Sequence, residues 1–350
     1  MSDTRRHAAL TSHEVARLAG VSQATVSRVL RDDPGVREDT RERVLRVLAE
    51  TKYEPNAAAR AIKGGRTGSI GVVVARLSYQ LYPAMLEAAG AQLARQGRRM
   101  IVWDSEHGGD QPAARALRQG IVDGVMLMAA TAESAFLRGI RSSEAPVVLV
   151  NRNVDDYPAD QVSSDNTAGG ERAAEYMVRS GRKRIALIGG ITRASTIRDR
   201  EAGFRAALER SGVDLPPHYC QRSGTYTHAS GREAPIRLLE LRARPDAIFC
   251  VNDVLALGAI DGARELGMKI PDGLWVIGYD DIELASWGGY DLTTVRQPME
   301  EMIGCGIDLL LRRITEPSRP LERRCFPNEL VIRSSTGRQP FPASATPRGD

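Results

Sequence analysis

The chain has 350 residues, of which 42% are hydrophobic, and it carries a formal net charge of +4. A chain of this length and composition buries a sizeable core, and two or three domains are expected. The longest apolar runs, such as VMLMAA at 125–130, are far shorter than the roughly 18–20 residues that span a bilayer. We expect neither a membrane span nor a signal peptide, so the sequence predicts a soluble cytoplasmic protein.

Four cysteines are widely separated along the second half of the chain and include no CxxC pair. This pattern predicts ordinary buried thiols in a reducing compartment rather than a disulfide framework. The cysteines and the five histidines form no closely spaced ligand set, so no metal or cofactor is predicted. The cysteines are Cys220, Cys250, Cys305 and Cys325.

The net charge is confined to the start of the chain. Residues 1–66 hold 13 Lys and Arg against 9 Asp and Glu, which leaves 35 against 35 in residues 67–350. A basic excess in a small leading segment indicates an anionic partner, with nucleic acid as the first candidate. A solvated basic face would give the same excess.

The first helix signal is TSHE (11–14), whose Thr and Glu have the spacing of a capping box. It predicts a helix that begins near Ser12, and Gly20 permits the turn that ends it. The predicted apolar face of this helix comprises Val15, Leu18 and Ala19.

Ser22 is placed to cap a second helix, QATVSRVL (23–30). The side predicted to be buried comprises Val26, Val29 and Leu30. The opposite side is small and polar, and comprises Gln23, Ala24, Thr25, Ser27 and Arg28. A third helix is predicted from about 37 to 50, and its apolar residues Val44, Leu45, Val47 and Leu48 would close a three-helix core.

Two short helices around a glycine turn are typical of a helix-turn-helix, whose second helix enters the major groove of DNA. On the free face of the second helix, Gln23 can pair with adenine through two hydrogen bonds and Ala24 can touch a thymine methyl. A small helical bundle without DNA binding has the same helix spacing, so the spacing alone leaves both interpretations open.

The residues from 11 to 65 resemble the DNA-binding headpiece and hinge of the lactose repressor/galactose repressor (LacI/GalR) family of bacterial transcription regulators. The resemblance rests on the highly specific VARLAGVSQATVSRVL (15–30) and on Y-x-P-N (53–56), and it extends to about residue 336. It implies a homodimeric repressor that binds operator DNA and is switched by a small-molecule effector, a sugar or sugar derivative.

The resemblance also implies which side chains contact DNA. Thr11, Tyr53 and Asn56 are expected to position phosphates, while the second helix reads base edges through Gln23, Ala24 and Arg28. Further contacts are expected from the second helix and the hinge, at Ser22, Thr25, Ser27, Ala59, Arg60 and Ile62.

The hinge, residues 56–63, is too short to form a stable helix in water, because nucleation costs more than one or two turns recover. In the family this segment becomes helical on operator DNA and wedges an apolar side chain, usually Leu, into the minor groove. Ile62 stands at the wedge position, and its β-branch slightly lowers helix propensity. We expect Ile62 still to insert; a plain flexible linker is the alternative.

From residue 69 onward, short apolar runs alternate with longer amphipathic stretches. Such runs predict parallel strands covered on both faces by helices. Two series predict an α/β core of two doubly wound parallel-sheet lobes, with a ligand cleft beyond the carboxyl ends of the strands. The predicted strands are IGVVV (70–74), MIVW (100–103), GVMLM (124–128), PVVLV (146–150), RIALIG (184–189), AIFCV (247–251) and LWVIGY (274–279).

The resemblance implies that this core is periplasmic-binding-protein-like, with the chain crossing between the lobes near residues 162, 292 and 327. The predicted organisation is an all-α helix-turn-helix headpiece, a hinge helix with linker, a two-lobed effector-binding and dimerisation core, and a flexible tail. Their ranges are 1–54, 55–66, 67–336 and 337–350. Within the core, the N-lobe comprises 67–162 and 293–326, and the C-lobe comprises 163–291 and 328–336.

Polar residues follow three of the predicted strands, at Asn151, Asn252 and Asp280. A polar residue in such a place is often only a loop residue or a helix cap. The resemblance nevertheless implies that Asn252, Asp280 and Arg200 hold hydroxyl or carbonyl groups of the effector, and these types suit vicinal sugar hydroxyls. The matching segments are IRDREAGFRAAL (197–208), VNDVLALGA (251–259), GYDDIELA (278–285) and LTTVRQP (292–298).

Aromatic residues are expected to complete the effector site. Tyr226 matches a family position that stacks on the ligand ring. Tyr79 and Tyr82 are candidates from the first strand–helix loop, where YQLYP (79–83) departs from the family pattern.

Asn151 stands where many sugar-binding relatives have Asp. An amide carries no negative charge, so it leaves room for an anionic ligand beside Arg200 and Arg152. A sugar acid or a sugar phosphate would be such a ligand.

Other functional classes find little support in the sequence. There is no GxGxxG after a strand, no GxxxxGK[ST] and no GxSxG, and the neighbours Asp280 and Asp281 would point to opposite sides of a strand. An enzyme is therefore not expected, and a solute-binding receptor would need a signal peptide and no headpiece. The same fold with a purine-like or other nonsugar corepressor is the closest alternative.

The tail RQPFPASATPRGD (338–350) lacks a leucine heptad, so a dimer is the simplest assembly. Two headpieces would bind inverted half-sites of a palindromic operator, about one helical turn or a multiple of it apart. The protein is then expected in the cytoplasm, on the nucleoid when bound to operator.

Overall fold

A computed structural model describes residues 11–30, 33–51, 66–140 and 145–337. The chain divides between Thr67 and Gly68 into two compact units, each with its own hydrophobic core. Most of the predicted hinge and nearly all of the predicted tail lie outside the described residues. Within those residues, none of the helices has the length and apolar character needed to cross a membrane.

The first unit contains three helices in its described part: α1 (Ser12–Ala19), α2 (Gln23–Val29) and α3 (Glu38–Thr51). The predicted capping box is confirmed, since the Thr11 hydroxyl accepts from the Glu14 N–H and the Glu14 carboxylate accepts from the Thr11 N–H. These hydrogen bonds lower the pKa of Glu14 below its ordinary value. Gly20, in the left-handed region at φ 62°, provides the sharp turn before Ser22 caps α2.

The core of this unit is made mainly of small and β-branched side chains: Val15, Ala16, Ala19, Val26, Val29, Val36 and Val44. Three leucines predicted to join it, Leu18, Leu30 and Leu45, are instead 50%, 38% and 49% exposed. Each of these leucines is adjacent in sequence to a buried core residue, Ala19, Val29 or Val44. Because neighbouring helix positions point about 100° apart, the leucine beside each core residue is turned toward solvent. The prediction of a three-helix core is confirmed, but those three assignments are wrong.

The second unit begins with a lobe built on a six-stranded parallel sheet, in the order β11-β5-β4-β3-β1-β2. Its helices are α4 (Leu81–Arg95), α5 (Asp110–Arg118), α6 (Ala135–Gly139) and α11 (Met299–Thr315). Its strands are β1 (Ser69–Val74), β2 (Arg99–Asp104), β3 (Gly124–Leu127), β4 (Val147–Val150), β5 (Asp160–Ser164) and β11 (Arg323–Phe326).

The second lobe has a six-stranded sheet in the order β12-β10-β9-β8-β6-β7, in which only β12 is antiparallel to its neighbour. Its longer helices are α7 (Asn166–Arg179), α8 (Ser195–Arg210), α9 (His228–Leu239) and α10 (Asp253–Glu265). Its strands are β6 (Ile185–Gly189), β7 (Cys220–Arg222), β8 (Ala247–Cys250), β9 (Trp275–Asp280), β10 (Thr293–Arg296) and β12 (Glu329–Val331). The predicted doubly wound α/β core is confirmed.

The chain passes between the lobes three times, after β5, after β10 and between β11 and β12. The second passage, at 297–298, comes later than the expected position near 292, because β10 pairs in parallel with β9 and belongs to the C-lobe sheet. The first passage likewise follows Ser164 rather than residue 162, since β5 continues to that residue. The third lies at 327–328, between β11 and β12.

All four cysteines are free thiols, but only Cys250 is buried. Cys220 and Cys305 are half-buried, and Cys325 is exposed because it lies on β11, the edge strand of the first sheet. The expectation of buried thiols is therefore wrong for three of the four.

Helices α7 and α8 pack backbone to backbone through two glycines. A Cβ on Gly170 would overlap the Arg200 carbonyl oxygen, and one on Gly203 would overlap the Thr167 carbonyl oxygen. Nothing larger than hydrogen fits at either position. This contact fixes the position of the α8 backbone from which Arg200 projects.

We predict that Gly203→Ala lowers the free energy of unfolding by at least about 2 kcal/mol, because backbone atoms have little freedom to move away from the added methyl group. The matched control is Gly90→Ala within α4, where the methyl would meet only the flexible end of Met100 at 3.4 Å. Denaturant unfolding should show the control to be neutral or slightly stabilising. Equal effects of the two substitutions would contradict the close packing of α7 on α8.

Candidate functional site

All seven side chains that the sequence predicts around an effector line one cavity between the two lobes of the core. The cavity is open to solvent, and ≈ 520 Å³ of empty space, open solvent included, lies among the residues that line it. It lies where strands of both sheets end at their carboxyl ends, as the doubly wound topology requires. The seven are Tyr79, Tyr82, Asn151, Arg200, Tyr226, Asn252 and Asp280.

Arg200 lies in the second turn of α8 and is 2% exposed. Its Nε donates to Asn166 Oδ1, its Nη1 to the Val251 carbonyl and its Nη2 to Asp280 Oδ1, each at 2.8 Å. The guanidinium carbon also lies 3.6 Å from the ring centroid of Tyr279. Protein groups therefore hold every nitrogen of this guanidinium, which makes it a rigid part of the cavity wall.

Asp280 ends β9 with its backbone at φ 116°, in a region that a residue with a side chain rarely adopts. Its Oδ1 accepts from Arg200 Nη2 and, at 2.7 Å, from Gln297 Nε2. Burial raises the pKa of Asp280, while the Arg200 guanidinium opposes that rise. A backbone strain of this kind at a cavity wall is typical of functional sites.

A chain of hydrogen bonds connects this wall to the passages between the lobes. Gln297, in the second passage, accepts from the Ser164 hydroxyl at 2.6 Å, at the start of the first passage. Asn328, in the third passage, donates through Nδ2 to the Tyr279 hydroxyl at 2.7 Å and to the Asp165 carbonyl at 2.6 Å. All three passages are thus bonded to residues 279 and 280 or to their direct partners.

The two asparagines of the cavity differ in how the protein uses them. Asn252 caps α10, since its Oδ1 accepts from the Leu255 N–H at 2.9 Å, so its Nδ2 is the group left for a ligand. Asn151 is 3% exposed at φ 77°, and its Nδ2 donates to the Met128 carbonyl at 3.1 Å. Its buried Oδ1 has no hydrogen-bond partner among the described residues.

The three tyrosines form an aromatic wall that joins the lobes. Tyr79 stacks on Tyr82 with ring centroids 6.2 Å apart and meets Tyr226 edge to face at 6.1 Å. The Tyr226 hydroxyl accepts from the Ile191 N–H at 2.8 Å, which holds its ring against the cavity. Burial raises the pKa of all three phenols, so each is a neutral hydroxyl at physiological pH.

Several residues in or next to the cavity were not predicted from the sequence. Thr196 precedes Arg200 by four positions and therefore shares its helix face, a signal that the spacing contained. Gln297 bonds to Asp280 without lining the cavity, and it lies within LTTVRQP. That bond depends on the passage between the lobes and has no local signal. The other lining residues that were not predicted are Gln80, Leu81, Ile197, Val254 and Ile282.

In the first unit, the free face of α2 carries the predicted base-reading residues. Ala24 and Arg28 are exposed, and Gln23 is half-buried with its Nε2 donating to Ser12 Oγ at 3.2 Å. Arg28 Nε donates to Asp33 Oδ2 at 2.9 Å in a surface ion pair. Such pairs contribute about 0–1 kcal/mol, so Arg28 can exchange Asp33 for another acceptor at little cost.

A small helical unit with an exposed second helix, followed by a two-lobed core with a cleft, defines the class of ligand-responsive DNA-binding regulators. The sequence profile of bacterial regulatory proteins of the lacI family matches residues 11–56, and that of a periplasmic binding protein-like domain matches residues 174–336. The ribose operon repressor of Escherichia coli (strain K12) is 32% identical, over 93% of this chain and 99% of its own length. The chain belongs to the lacI family.

Two further relatives agree with this assignment. The HTH-type transcriptional repressor PurR of Photobacterium profundum is 30% identical, over 93% of this chain and 98% of its own length. The solved structure of the Lac repressor dimer bound to operator and the anti-inducer ONPF has a TM-score of 0.84 and 27% identity, and the match covers 94% of this chain and 100% of that one. Proteins of this family are regulators rather than enzymes.

A second buried carboxyl lies directly behind the cavity, at Asp253 in the first turn of α10. Its Oδ1 accepts from the Thr294 hydroxyl at 2.5 Å and its Oδ2 from the Ile282 N–H at 2.9 Å. Gly278 leaves room for it, since a Cβ there would overlap Oδ1. Burial, with a contribution from the Asp280 carboxylate, raises the pKa of Asp253 to about 7.

This pKa makes the stability of the protein depend on pH. Because the folded-state pKa lies above the unfolded-state value, the folded protein holds its proton more tightly, and stability is lost as pH rises from about 4 to about 7. Asp253→Asn mimics the neutral carboxyl. The difference in free energy of unfolding between this variant and the wild type should shift in favour of the variant by on the order of 2–3 kcal/mol as pH rises from 5 to 8.

The measurement is denaturant unfolding of both proteins across that pH range, with the exposed Asp214→Asn as the matched control. The control should follow the wild-type profile. If the Asp253→Asn profile ran parallel to that of the wild type, the buried neutral carboxyl would be refuted.

Proposed function

We propose that this protein is a homodimeric transcriptional repressor of the cytoplasm, associated with the nucleoid when bound, whose operator affinity is set by a small-molecule effector in the cleft. The observation that carries the proposal is the convergence of Asn151, Arg200, Tyr226, Asn252 and Asp280 on one cavity. Hydroxyl, amide and charged groups beside aromatic rings suit a sugar or sugar derivative. Catalysis is not part of this role.

The proposed DNA interface begins with the free face of α2. Gln23, Ala24 and Arg28 would read base edges, with Ser22, Thr25 and Ser27 around them and Thr11 on a phosphate. Ser22 and Thr25 also hold the start of the helix, since the Ser22 hydroxyl accepts from the Thr25 N–H at 3.1 Å. The remaining proposed contacts, at Tyr53, Asn56, Ala59, Arg60 and Ile62, lie outside the described residues.

Two features of the core support a twofold dimer. Strand β2 is an edge strand whose residues are half-buried or exposed, so one of its sides is available for contact with a second copy. Leu77 and Trp287 are large apolar side chains with exposed fractions of 48% and 53%. A twofold dimer would place two headpieces on inverted half-sites.

We predict that the full-length protein selects an inverted repeat from a random DNA library. Arg28→Ala should weaken binding to the selected sequence by about 1–3 kcal/mol and relax the preference at one base pair in each half-site, because a bidentate contact is lost. Sequencing of the bound DNA and titration of the selected sequence measure both effects.

The matched control is Arg46→Ala on α3, an exposed arginine that removes the same charge away from the free face of α2. It should leave the selected sequence unchanged. Selection of a sequence without twofold symmetry would refute the dimeric arrangement, and an unchanged preference in Arg28→Ala would refute the base-reading role.

A further inference from the structure

The arginines in and near the cavity are paired with carboxylates among the described residues, with one exception. Arg200 and Asp280 neutralise each other inside it. Arg76, whose guanidinium lies over the Tyr79 ring, pairs with Glu106, and Arg193 pairs with Glu133 across the two lobes. These ion pairs leave no net charge for a ligand to match.

Arg152 is the exception. It lines the same cavity, directly after Asn151, and its Nη1 donates to the Ala129 carbonyl at 3.2 Å. Its Nε is buried and has no hydrogen-bond partner, and the guanidinium forms no ion pair with any residue that the structure describes. A buried donor of a charged group without an acceptor is costly, and a ligand that supplies the acceptor recovers that cost.

The neighbouring Asn151 explains why this cation is not neutralised. An amide at that position carries no charge, and its Nδ2 is committed to the Met128 carbonyl. Its buried Oδ1 still requires a donor, which a ligand hydroxyl would provide. Adjacent positions of the chain thus offer a cation and a hydrogen-bond acceptor to the same cavity.

We infer that the effector is an anionic sugar derivative whose carboxylate or phosphate binds Arg152, with hydroxyl groups toward Asn151, Asn252 and Asp280. The inference rests on the proposed function, in which this cavity binds the effector. It assigns the anion to Arg152 rather than to Arg200, because all three nitrogens of the Arg200 guanidinium already bond to the protein. A guanidinium binds either anion in a paired geometry, so the probes must separate the two.

The test uses the full-length protein with three arms of probes: uronates and aldonates, sugar phosphates, and the neutral sugar corresponding to each. Thermal unfolding identifies the probes that bind, and titration calorimetry gives their affinities. We expect a carboxylate or a phosphate probe to bind at least about 10-fold more tightly than its neutral counterpart. The arm that contains this probe identifies the anion.

The substitution Arg152→Gln should weaken that probe by about 10- to 100-fold, because a charge-assisted bond is lost, while leaving the neutral counterpart within about threefold. Arg152→Lys should retain part of the preference. Arg198→Gln is the matched control, since Arg198 is half-exposed, pairs with Asp199 and does not line the cavity. It should change none of the affinities.

Three outcomes would overturn the inference: neutral sugars that bind as tightly as their anions, an anion preference that survives Arg152→Gln, or no binding by any probe. Titration of operator DNA with and without each probe distinguishes failure of the anion site from failure of the proposed function. If neutral sugars bind as tightly as their anions and alter operator affinity, the proposed function stands and the anion site is contradicted. Operator binding that no probe alters would also count against a sugar effector.

Discussion

The buried ion pair between Arg200 and Asp280 is the interaction on which the rest of the core depends. Both side chains are nearly inaccessible to water, with exposed fractions of 3% and 7%, so each would be strongly destabilising without the other. Their remaining bonds go to Asn166, Val251 and Gln297, which satisfies the donors and acceptors that burial removes from water. Helix α8 positions Arg200, and its close approach to α7 is possible only because Gly170 and Gly203 lack side chains.

The Arg200–Asp280 pair is connected both to the cavity and to the passages between the lobes. Asp280 faces the cavity and at the same time bonds through Gln297 to Ser164, so two passages between the lobes meet at a cavity residue. Asn328 brings the third passage to Tyr279, whose ring lies against the Arg200 guanidinium. A ligand that exchanges a bond with Asp280 would therefore act on the groups that set the lobe geometry. By thermodynamic linkage, any resulting change in operator affinity must be matched by an equal change in ligand affinity.

The sequence predicted the elements whose signals are local. The Val- and Ile-rich runs identified seven strands, and the capping box identified the start of α1. It did not predict β5, whose residues DQVSS are polar but buried, because Asp160 is paired with Arg313 far along the chain. The resemblance predicted all seven cavity residues. Whether Arg152 has an ion-pair partner depends instead on which carboxylates, from positions far away in the sequence, lie close to it in the fold. No local pattern contains that information.

The central claim is that Arg200 and Asp280 act as one unit, and a double-mutant cycle of Arg200→Met and Asp280→Asn on the full-length protein tests it most directly. Each single substitution leaves a buried group without its partner and should lower the free energy of unfolding by about 3–5 kcal/mol. The double variant should lose less than the sum of the two by at least about 2 kcal/mol, because neither charge is then left unpaired. Losses that add to within about 0.5 kcal/mol would contradict the account, since they would show two side chains that stabilise the core independently.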